Sequence, residues 1–326
     1  MEIITKKHLM IYSGTAHPEL AQEISDYLQI PLSDVEIRRF ASSEVYVRPK
    51  DSVRGADVFV IQTHAVPVNE SIMEQLIMID AMKRASAKRI TAVIPYYGYS
   101  RQDKKSLSRE PISGKLVADL LSAAGADRVV SVDLHSGQIQ GFFDYPFDHL
   151  TALPLIEDYF SNHDGILREE LVVVAPDTGR VKVAERLAAH LQADLAIIHK
   201  TRSPHEAHKV QAREVVGEVD GRACLVVDDM IDTGGTMVQG AQILAENGAR
   251  DIYLGATHGL FSGKAVQLLE EGPIKEVVVT NTVPIPDEKR FEKLTVLSIA
   301  PIIASALRAV FEDTSVSEIF HGENQP

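Results

Sequence analysis

The chain has very little cysteine, no tryptophan and no excess of positive charge. Its 326 residues include one cysteine, and 33 lysines and arginines stand against 46 aspartates and glutamates, for a formal net charge of −13. A single cysteine excludes an intrachain disulfide, and Cys224 stands in an apolar run, where a buried thiol in a reducing compartment is expected. The acidic balance disfavours a nucleic-acid partner, because such binding needs a basic face.

Long hydrophobic runs are also missing. No run approaches the roughly 20 apolar residues that a membrane-spanning helix requires. The first ten residues, MEIITKKHLM, contain two lysines and lack the apolar core of an export signal. We therefore expect no membrane association and a cytoplasmic location.

What the chain does contain is a regular alternation of short apolar runs and helical patterns. This alternation predicts the α/β class, with mainly parallel sheets flanked by crossover helices. The predicted strands are Val58–Gln62, Arg89–Ile94, Arg128–Val132, Leu171–Ala175, Leu195–His199, Ala223–Val227, Ile252–Ala256 and Glu276–Thr280, and clear helical patterns cover Gly114–Ala124 and Val181–Leu191.

The length allows two domains, each with its own core. A weak internal echo supports two similar halves: AAGADRVVSVDLHSG, from Ala123, parallels AENGARDIYLGATHG, from Ala245. A turn-rich segment ends at Leu150, so we place the domains at 1–150 and 151–326.

The most specific motif is CLVVDDMIDTGGT, which begins at Cys224. It predicts a buried strand, then a paired carboxylate, then a loop at the amino end of a helix, where free backbone N–H groups and the helix dipole favour a phosphate. Carboxylates there can accept hydrogen bonds from ribose hydroxyls or hold Mg²⁺. The alternative is an ordinary acidic turn of an α/β protein. The predicted sugar-phosphate site comprises Asp228, Asp229, Asp232, Thr233, Gly234, Gly235 and Thr236.

Three further segments follow predicted strands and carry charged or polar side chains. The basic loop YYGYSRQDKKSLSR, Tyr96 to Arg109, predicts a ligand-binding loop, with a solvated surface loop as the alternative. Asp177 follows the strand at Leu171–Ala175 and precedes small residues and a helix, as at the sugar-phosphate motif. Lys200 and Arg202 close the strand that begins at Leu195, where two exposed cations would most often be a surface feature.

These motifs together resemble the ribose-phosphate diphosphokinase (PRPP synthase) family from about Leu9 to Phe320. DDMIDTGGT is similar to the phosphoribosyl-diphosphate signature, which phosphoribosyltransferases share. PYYGYSRQDKK, SREPISGKLVADLL and DLHSGQIQGFF resemble the family's ATP and catalytic loops. The resemblance implies two phosphoribosyltransferase-like domains, with the tail from about residue 304 packed back on the first.

The resemblance also implies roles for individual residues. The ATP contacts would be Phe40, Ser42, Glu44, Arg101, Gln102 and His135, with Phe40 stacked on adenine; His135 and Asp177 would lie next to Mg²⁺; Lys200, Arg202 and Arg101 would be catalytic. Ser42, Ser43, Ser106 and Arg180 stand where the family usually has other residues. Arg180 would either hinder close backbone approach to a phosphate or add a phosphate contact.

The implied reaction is transfer of the diphosphate of MgATP to the anomeric hydroxyl of ribose 5-phosphate, by a homo-oligomer, a hexamer built from dimers. Three alternatives stay open. A phosphoribosyltransferase would not need the loops at Phe40 and Arg101, and a catalytically silent regulatory homologue would be expected to have lost catalytic loops. A generic nucleotide-binding module explains single loops only.

Overall fold

The computed structural model describes residues 8–201, 212–320 and 322; of residues 200, 201, 212 and 213 it describes the backbone only. The chain divides into two compact units. Unit 1 draws its residues from Met1–Thr151, Thr282–Pro284 and Ser298–Gln325, and unit 2 from Ala152–Asn281 and Ile285–Leu297.

Unit 1 is built on a parallel sheet with helices beside it. Its strands are β1 (Leu9–Ser13), β2 (Val35–Arg39), β3 (Val45–Pro49), β4 (Asp57–Ile61), β5 (Arg89–Ile94), β6 (Arg128–Val132) and β7 (Phe147–Leu150), and its first three helices are α1 (Pro18–Leu28), α2 (Val68–Arg84) and α3 (Ser113–Ala124). Within the described residues the sheet order is β1-β4-β5-β6-β7, and each neighbouring pair is parallel. β4 is buried along its whole length, as expected of a strand covered on both faces.

β2 and β3 form a separate antiparallel hairpin. The connecting turn is closed by two backbone hydrogen bonds, from the N–H of Phe40 to the carbonyl of Glu44 and from the N–H of Ser43 to the carbonyl of Phe40, both at 2.9 Å. Ser43 has a φ of 71°, in the left-handed region that tight turns use. The hairpin therefore holds its turn residues in a defined loop.

A carboxyl-terminal helix, α8 (Ala300–Glu312), also belongs to unit 1 and packs against α1. Its end is fixed to the sheet by Arg89, whose guanidinium lies 2.9 Å from Asp57 Oδ2 and 3.1 Å from Asp313 Oδ1. The same guanidinium donates to the carbonyl of Val310 at 3.0 Å. Unit 1 is thus assembled from both ends of the chain.

Unit 2 contains a larger sheet. Its strands are β8 (Leu171–Ala175), β9 (Asp194–Thr201), β10 (Ala212–Val216), β11 (Ala223–Ile231), β12 (Asp251–Gly259), β13 (Glu276–Thr280) and β14 (Leu294–Leu297), and its helices are α4 (Leu153–Ser161), α5 (Val181–Leu191), α6 (Gly235–Glu246) and α7 (Ala265–Glu271). Within the described residues the order is β10-β9-β8-β11-β12-β13-β14, and only the β10–β9 pair is antiparallel. β11 lies near the centre, so its carboxyl end opens onto the middle of the sheet edge.

The predicted α/β class with parallel sheets flanked by helices is confirmed. The predicted strands at β5, β6, β8 and β13 have the observed bounds, and the helical pattern from Val181 matches α5. The prediction missed β1, the β2–β3 hairpin, β7, β10 and β14, and it ended β11 too early. Because β11 runs to Ile231, Asp228 and Asp229 lie within the strand rather than after it.

Two expectations from composition concern burial and membranes. Cys224 is buried in β11, and desolvation raises the pKa of its thiol to about 12, so the thiol is not a nucleophile at neutral pH. Among the described residues there is no helix with the length and apolar character needed to cross a membrane.

Candidate active site

The carboxyl end of β11 and the start of α6 form one corner of the candidate site. The apolar residues of β11 are buried, and Asp232 and Thr233 follow directly after the end of this strand. Gly234, the N-cap of α6, has a φ of 76°, which glycine adopts without the strain that a Cβ would bring. The glycine is therefore required by the turn that joins strand to helix.

The first turn of α6 presents backbone donors. Gly234 has no side chain that could cap the helix, and its carbonyl accepts the Val238 N–H at 2.9 Å as the helix starts. The backbone N–H groups of Gly235, Thr236 and Met237 precede this first bond of the helix, and they lie at the positive end of the helix dipole, where an anion is stabilised. The Ser262 N–H donates to the carbonyl of Asp232 at 2.8 Å and fixes the preceding loop.

Asp228 and Asp229 are paired with Arg180. Arg180 Nε lies 2.8 Å from Oδ1 of Asp228, and Nη2 lies 2.5 Å from Oδ1 of Asp229. Burial and the neighbouring charge of Asp229 raise the pKa of Asp228 to about 7, although Arg180 acts in the opposite direction. The pKa of Asp228 is therefore higher than that of an ordinary aspartate, and Arg180 offsets part of the shift.

The expectation for Arg180 is thus modified. Sequence comparison left a choice between hindrance of a phosphate and a phosphate contact, and the structure instead shows its guanidinium on the two carboxylates of the signature. β8 and β11 are adjacent and parallel, with Val174 opposite Val226, so the loop after β8 and the end of β11 share one sheet edge. A long side chain from the first loop can therefore reach the second.

The loop that carries Arg180 begins at Asp177. Oδ1 of Asp177 accepts a hydrogen bond from the Gly179 N–H at 2.8 Å and caps a short 3₁₀ helix at Thr178–Arg180, which continues into α5. Asp177 itself is exposed. It lies in the same unit as Asp228, at the end of the neighbouring strand.

Lys200 and Arg202 were predicted at the end of β9. The structure places the backbone of Lys200 in this strand, opposite Arg213 of β10. Arg202 lies outside the described residues. β9 is the other neighbour of β8, so the backbone of Lys200 belongs to the sheet that carries the loop from Asp177.

In unit 1, the loop after β5 lines a cleft of about 570 Å³. Its walls are Pro67, Val68, Asn69, Glu70, Tyr96, Gly98, Tyr99, Ser100, Arg101 and Gln102. Arg101 and Gln102 are exposed. Gln102 is held by Ser113, whose Oγ donates to Oε1 of Gln102 at 2.6 Å, and its carbonyl accepts the Gly114 N–H at 3.1 Å.

The base of this loop is fixed by His64, which is fully buried. Its backbone N–H donates to the carbonyl of Tyr96 at 3.1 Å, and its ring Nδ1 accepts the Gly98 N–H at 3.0 Å. Since Nδ1 accepts, the proton is on Nε2, which donates to Oε1 of Gln75 at 2.9 Å. Burial lowers the pKa of His64 to about 4, so the ring is neutral.

The predicted adenine-stacking residue lies in the β2–β3 hairpin. Phe40 is 45% exposed, far more than a core aromatic. Its ring packs edge-on against Tyr46, and the guanidinium of Arg38 lies 4.8 Å from its centroid. Ser42 Oγ donates to Oε2 of Glu44 at 2.5 Å, so both polar side chains of this loop point toward each other.

His135 follows β6 and is half-buried. The preceding N–H, of Leu134, donates to Nε2 of the buried His149 at 3.0 Å, and Asp133 has a φ of 34°. The loop that carries His135 is therefore bent sharply and held by a second histidine from β7.

The side chains present suit a metal ion that arrives with its substrate. No group of three or more histidine, cysteine or acidic side chains converges as a cation site in residues 8–201, 212–320 and 322. Mg²⁺ in phosphate-transfer sites commonly needs only one or two protein ligands, with water and phosphate oxygens as the rest. The exposed carboxylate of Asp177, in unit 2, fits that limited role.

Sequence reasoning missed the part played by His64 and the partners of Arg180. His64 could have been noted as a histidine at the end of a buried strand. Nothing in the sequence, however, indicates that its ring accepts a hydrogen bond from the backbone N–H of Gly98. For Arg180 the sequence contains one signal, a large charged side chain beside small residues, and this signal did not indicate that the side chain contacts Asp228 and Asp229.

Two family models match the chain. The model of the N-terminal domain of ribose phosphate pyrophosphokinase matches residues 9–125, and that of the phosphoribosyl synthetase-associated domain matches residues 207–321.

Curated relatives are similar over nearly the whole chain. The ribose-phosphate pyrophosphokinase of Streptomyces avermitilis is 53% identical over 315 residues, which cover 97% of each chain. That of Mycobacterium tuberculosis is 52% identical over 321 residues, which cover 98% of this chain and 97% of the relative. The crystal structure of phosphoribosylpyrophosphate synthetase from Mycobacterium smegmatis is 54% identical, with a TM-score of 0.88, and the match covers 94% of this chain and 100% of that one.

Proposed function

The chain belongs to the ribose-phosphate pyrophosphokinase family, and from that premise we propose that it transfers the β,γ-diphosphate of MgATP to the anomeric hydroxyl of ribose 5-phosphate. The products are phosphoribosyl diphosphate and AMP. The observation that carries the proposal is the corner at β11 and α6, where carboxylates and a helix amino terminus adjoin.

The sugar binds in unit 2. Its 5-phosphate lies on the backbone N–H groups from Thr233 to Thr236, with the hydroxyls of both threonines as further donors. The ribose hydroxyls donate to the carboxylates of Asp228 and Asp229. A phosphate and a carboxylate repel each other, so this order along the chain fixes the direction in which the sugar lies.

The nucleotide binds through residues of unit 1. Arg101 and Gln102, which line the cleft after β5, contact the phosphates of ATP, and His135 also contacts ATP. Phe40 supplies a stacking face for adenine, which its high exposure supports. Ser42 and Glu44 hydrogen-bond around the base.

Magnesium enters as part of the substrate MgATP and neutralises charge on the phosphates. Asp177 of unit 2 would supply a carboxylate to it, together with phosphate oxygens and water. The protein's own share is to orient the sugar and to place fixed positive charge.

In the chemical step the anomeric hydroxyl attacks the β-phosphorus in line, the bond between that phosphorus and the oxygen bridging it to the α-phosphorus breaks, and the hydroxyl proton is released to solvent. Negative charge develops on the departing AMP oxygen and on the transferred group. Arg101, Lys200 and Arg202 stabilise that charge. One preorganised donor of this kind is commonly worth about 3 kcal/mol, or roughly a hundredfold in rate.

We also propose that residues 1–150 form the nucleotide domain and 151–326 the sugar-phosphate domain, with the tail from about residue 304 returning to the first. The active form is a homo-oligomer, a hexamer built from dimers, in the cytoplasm. Size-exclusion chromatography with light scattering tests the assembly.

The reaction is tested by chromatography of the nucleotides formed from MgATP with and without ribose 5-phosphate. We expect AMP, formed only when the sugar is present. ADP would indicate a kinase that transfers a single phosphoryl group. If ATP is bound but not consumed, the chain is a silent regulatory homologue, and if a base is coupled to phosphoribosyl diphosphate without ATP, it is a phosphoribosyltransferase.

A further inference from the structure

Arg180 connects the loop after β8 with the acidic pair of β11, in unit 2. It is the last residue of the 3₁₀ helix that begins just after Asp177, and its guanidinium contacts Asp228 at 2.8 Å and Asp229 at 2.5 Å. The side chain of Arg180 is 15% exposed and that of Asp229 is 4% exposed. The contact is therefore largely removed from water, unlike a surface ion pair.

Two adjacent carboxylates in this setting repel each other. A buried charge without a partner is strongly destabilising, and removing one partner of a buried pair leaves that charge uncompensated. Arg180 offsets the repulsion with two separate nitrogens, one for each carboxylate. Oδ1 of Asp228 also accepts the Asp229 N–H at 2.8 Å, which further fixes this side chain.

The two contacts depend on the shape of the arginine head group. A guanidinium holds its N–H groups in one plane at fixed angles, so Nε and Nη2 can bind two acceptors at once. A lysine ammonium is a single point charge on a flexible stem. An arginine at residue 180 therefore orients both carboxylates, whereas a lysine would neutralise charge without orienting the pair.

We propose that Arg180 is a positioning residue for ribose 5-phosphate. It holds the carboxylates of Asp228 and Asp229 in the orientation that accepts the sugar hydroxyls. This inference rests on the proposed function, since it assumes that these two carboxylates bind the sugar. It adds a residue from the loop after β8 to a sugar site otherwise built from β11 and α6.

The test measures binding of ribose 5-phosphate to the full chain without ATP, by calorimetric titration, together with the KM for each substrate. For Arg180→Ala we expect the Kd for ribose 5-phosphate to rise at least about tenfold, and for Arg180→Lys to recover only part of that loss. The KM for ATP should stay within about twofold of the wild-type value, because the nucleotide contacts come from other residues. Far-ultraviolet circular dichroism checks that each variant is folded.

Chemical rescue gives a readout that a merely structural role would not move. Guanidinium ion added at non-denaturing concentration should restore ribose 5-phosphate affinity to Arg180→Ala, whereas an equal concentration of ammonium ion should not. Rescue by guanidinium but not by ammonium would support the proposal that the planar head group of Arg180 orients the two carboxylates. Equal rescue by both ions would mean that only charge matters and would overturn the proposal.

Arg222→Lys is the matched control. Arg222 stands just before β11, at the opposite end of the strand from the acidic pair, and its guanidinium lies 2.8 Å from Oδ2 of Asp194. This variant also replaces, with lysine, an arginine of unit 2 that contacts a carboxylate. It should lower the thermal midpoint of unfolding but leave the Kd for ribose 5-phosphate within about twofold of wild type.

An unchanged Kd for ribose 5-phosphate in Arg180→Ala would overturn the inference, as would a loss confined to ATP. If the wild-type chain binds ribose 5-phosphate but forms no AMP, the proposed reaction fails while the variant titrations still decide the role of Arg180. If the wild-type chain does not bind ribose 5-phosphate, both fail.

Discussion

The Gly98 N–H donates to Nδ1 of the fully buried His64 at 3.0 Å, so a neutral histidine fixes the start of the loop that leads to Arg101. Burial lowers the pKa of His64 to about 4 from its ordinary 6.5. Below about pH 6.5 the unfolded chain binds a proton that the folded chain does not. The free energy of unfolding should therefore fall as pH drops from 6.5 toward 4, and this residue contributes up to about 3 kcal/mol of that fall.

His64→Gln removes this titration. Chemical unfolding of both proteins at several pH values should give curves whose separation changes by that amount across the window, since all other groups are common to both. The ring resonances of His64 in the wild-type protein should not titrate near pH 6.5. Parallel stability curves, or a ring that titrates at its ordinary pKa, would contradict the assignment.

Phe40→Ala tests the stacking role of the hairpin turn. Loss of an aromatic face under a base costs about 1–3 kcal/mol, so the KM for ATP should rise about tenfold, while Phe40→Tyr should retain near wild-type values. Because the ring is 45% exposed, the free energy of unfolding should change little.

Tyr27→Ala is the control for Phe40, since Tyr27 is an aromatic residue of α1 that is 56% exposed. Steady-state kinetics of both variants distinguish a specific contact from a general effect of losing an exposed ring. Equal changes in the KM for ATP would contradict adenine stacking on Phe40.

Gly234→Ala tests the turn that precedes α6. A Cβ at a φ of 76° costs on the order of 1–2 kcal/mol and shifts the N–H groups that receive the 5-phosphate. We expect lower stability together with a raised KM for ribose 5-phosphate.

Gly221→Ala is matched to Gly234→Ala. Gly221 has a φ of 67°, with open space around an added Cβ, and it lies before β11 rather than after it. It should cost similar stability and leave the KM for ribose 5-phosphate unchanged. If both variants raise that KM equally, the effect comes from stability and the placement of the phosphate is wrong.

Asp228 predicts a pH dependence of sugar binding. Since burial and Asp229 raise the pKa of Asp228 to about 7, the side chain gains its charge as pH rises through that value. A carboxylate accepts hydrogen bonds from hydroxyls more strongly than a carboxylic acid does, so the KM for ribose 5-phosphate should fall over this range. The phosphate of the sugar also titrates in this pH range, but this effect is the same for the wild type and for every variant, so it cancels when their KM values are compared.

Asp228→Asn isolates the contribution of the side chain. The ratio of its KM to the wild-type KM should grow as pH rises through about 7. A ratio independent of pH would contradict the titration. Because burial raises the pKa of Asp228 from 3.8 to about 7 in the folded chain, the unfolded chain loses this proton at lower pH. The free energy of unfolding should therefore fall as pH rises from about 4 to about 7, and the asparagine variant should lack this slope.

The sequence predicted the buried strands of the two sheets well, because strands of a parallel sheet that are covered on both faces appear as short continuous apolar runs. The strand at Leu171–Ala175 and helix α5 were predicted with their observed bounds. β14, in contrast, is only half-buried, and the β2–β3 hairpin contains charged residues among its apolar ones. Strands such as β14 and the β2–β3 hairpin have weaker hydrophobic patterns, so they were missed, whereas β1 was missed although four of its five residues are buried.

β11 shows why the site was only partly predictable. Its apolar run ends at Val227, and two acidic residues normally indicate a loop, but pairing with β12 continues to Ile231. Arg180 supplies the charge that stabilises these carboxylates inside the sheet, and it comes from a loop about fifty residues earlier. Such a contact depends on strand order, which the pattern of residues along the chain does not give. The family resemblance, confirmed by relatives of similar length, identified the motifs but not this pairing.

The most direct test of the account is the fate of ribose 5-phosphate labelled with ¹³C at C1, followed by carbon and phosphorus NMR in the presence of MgATP and the purified chain. We expect the C1 signal to show coupling to phosphorus, two new diphosphate resonances and an equal amount of AMP. An unmodified C1 signal with ADP, or with ATP left intact, would contradict diphosphate transfer to the anomeric hydroxyl.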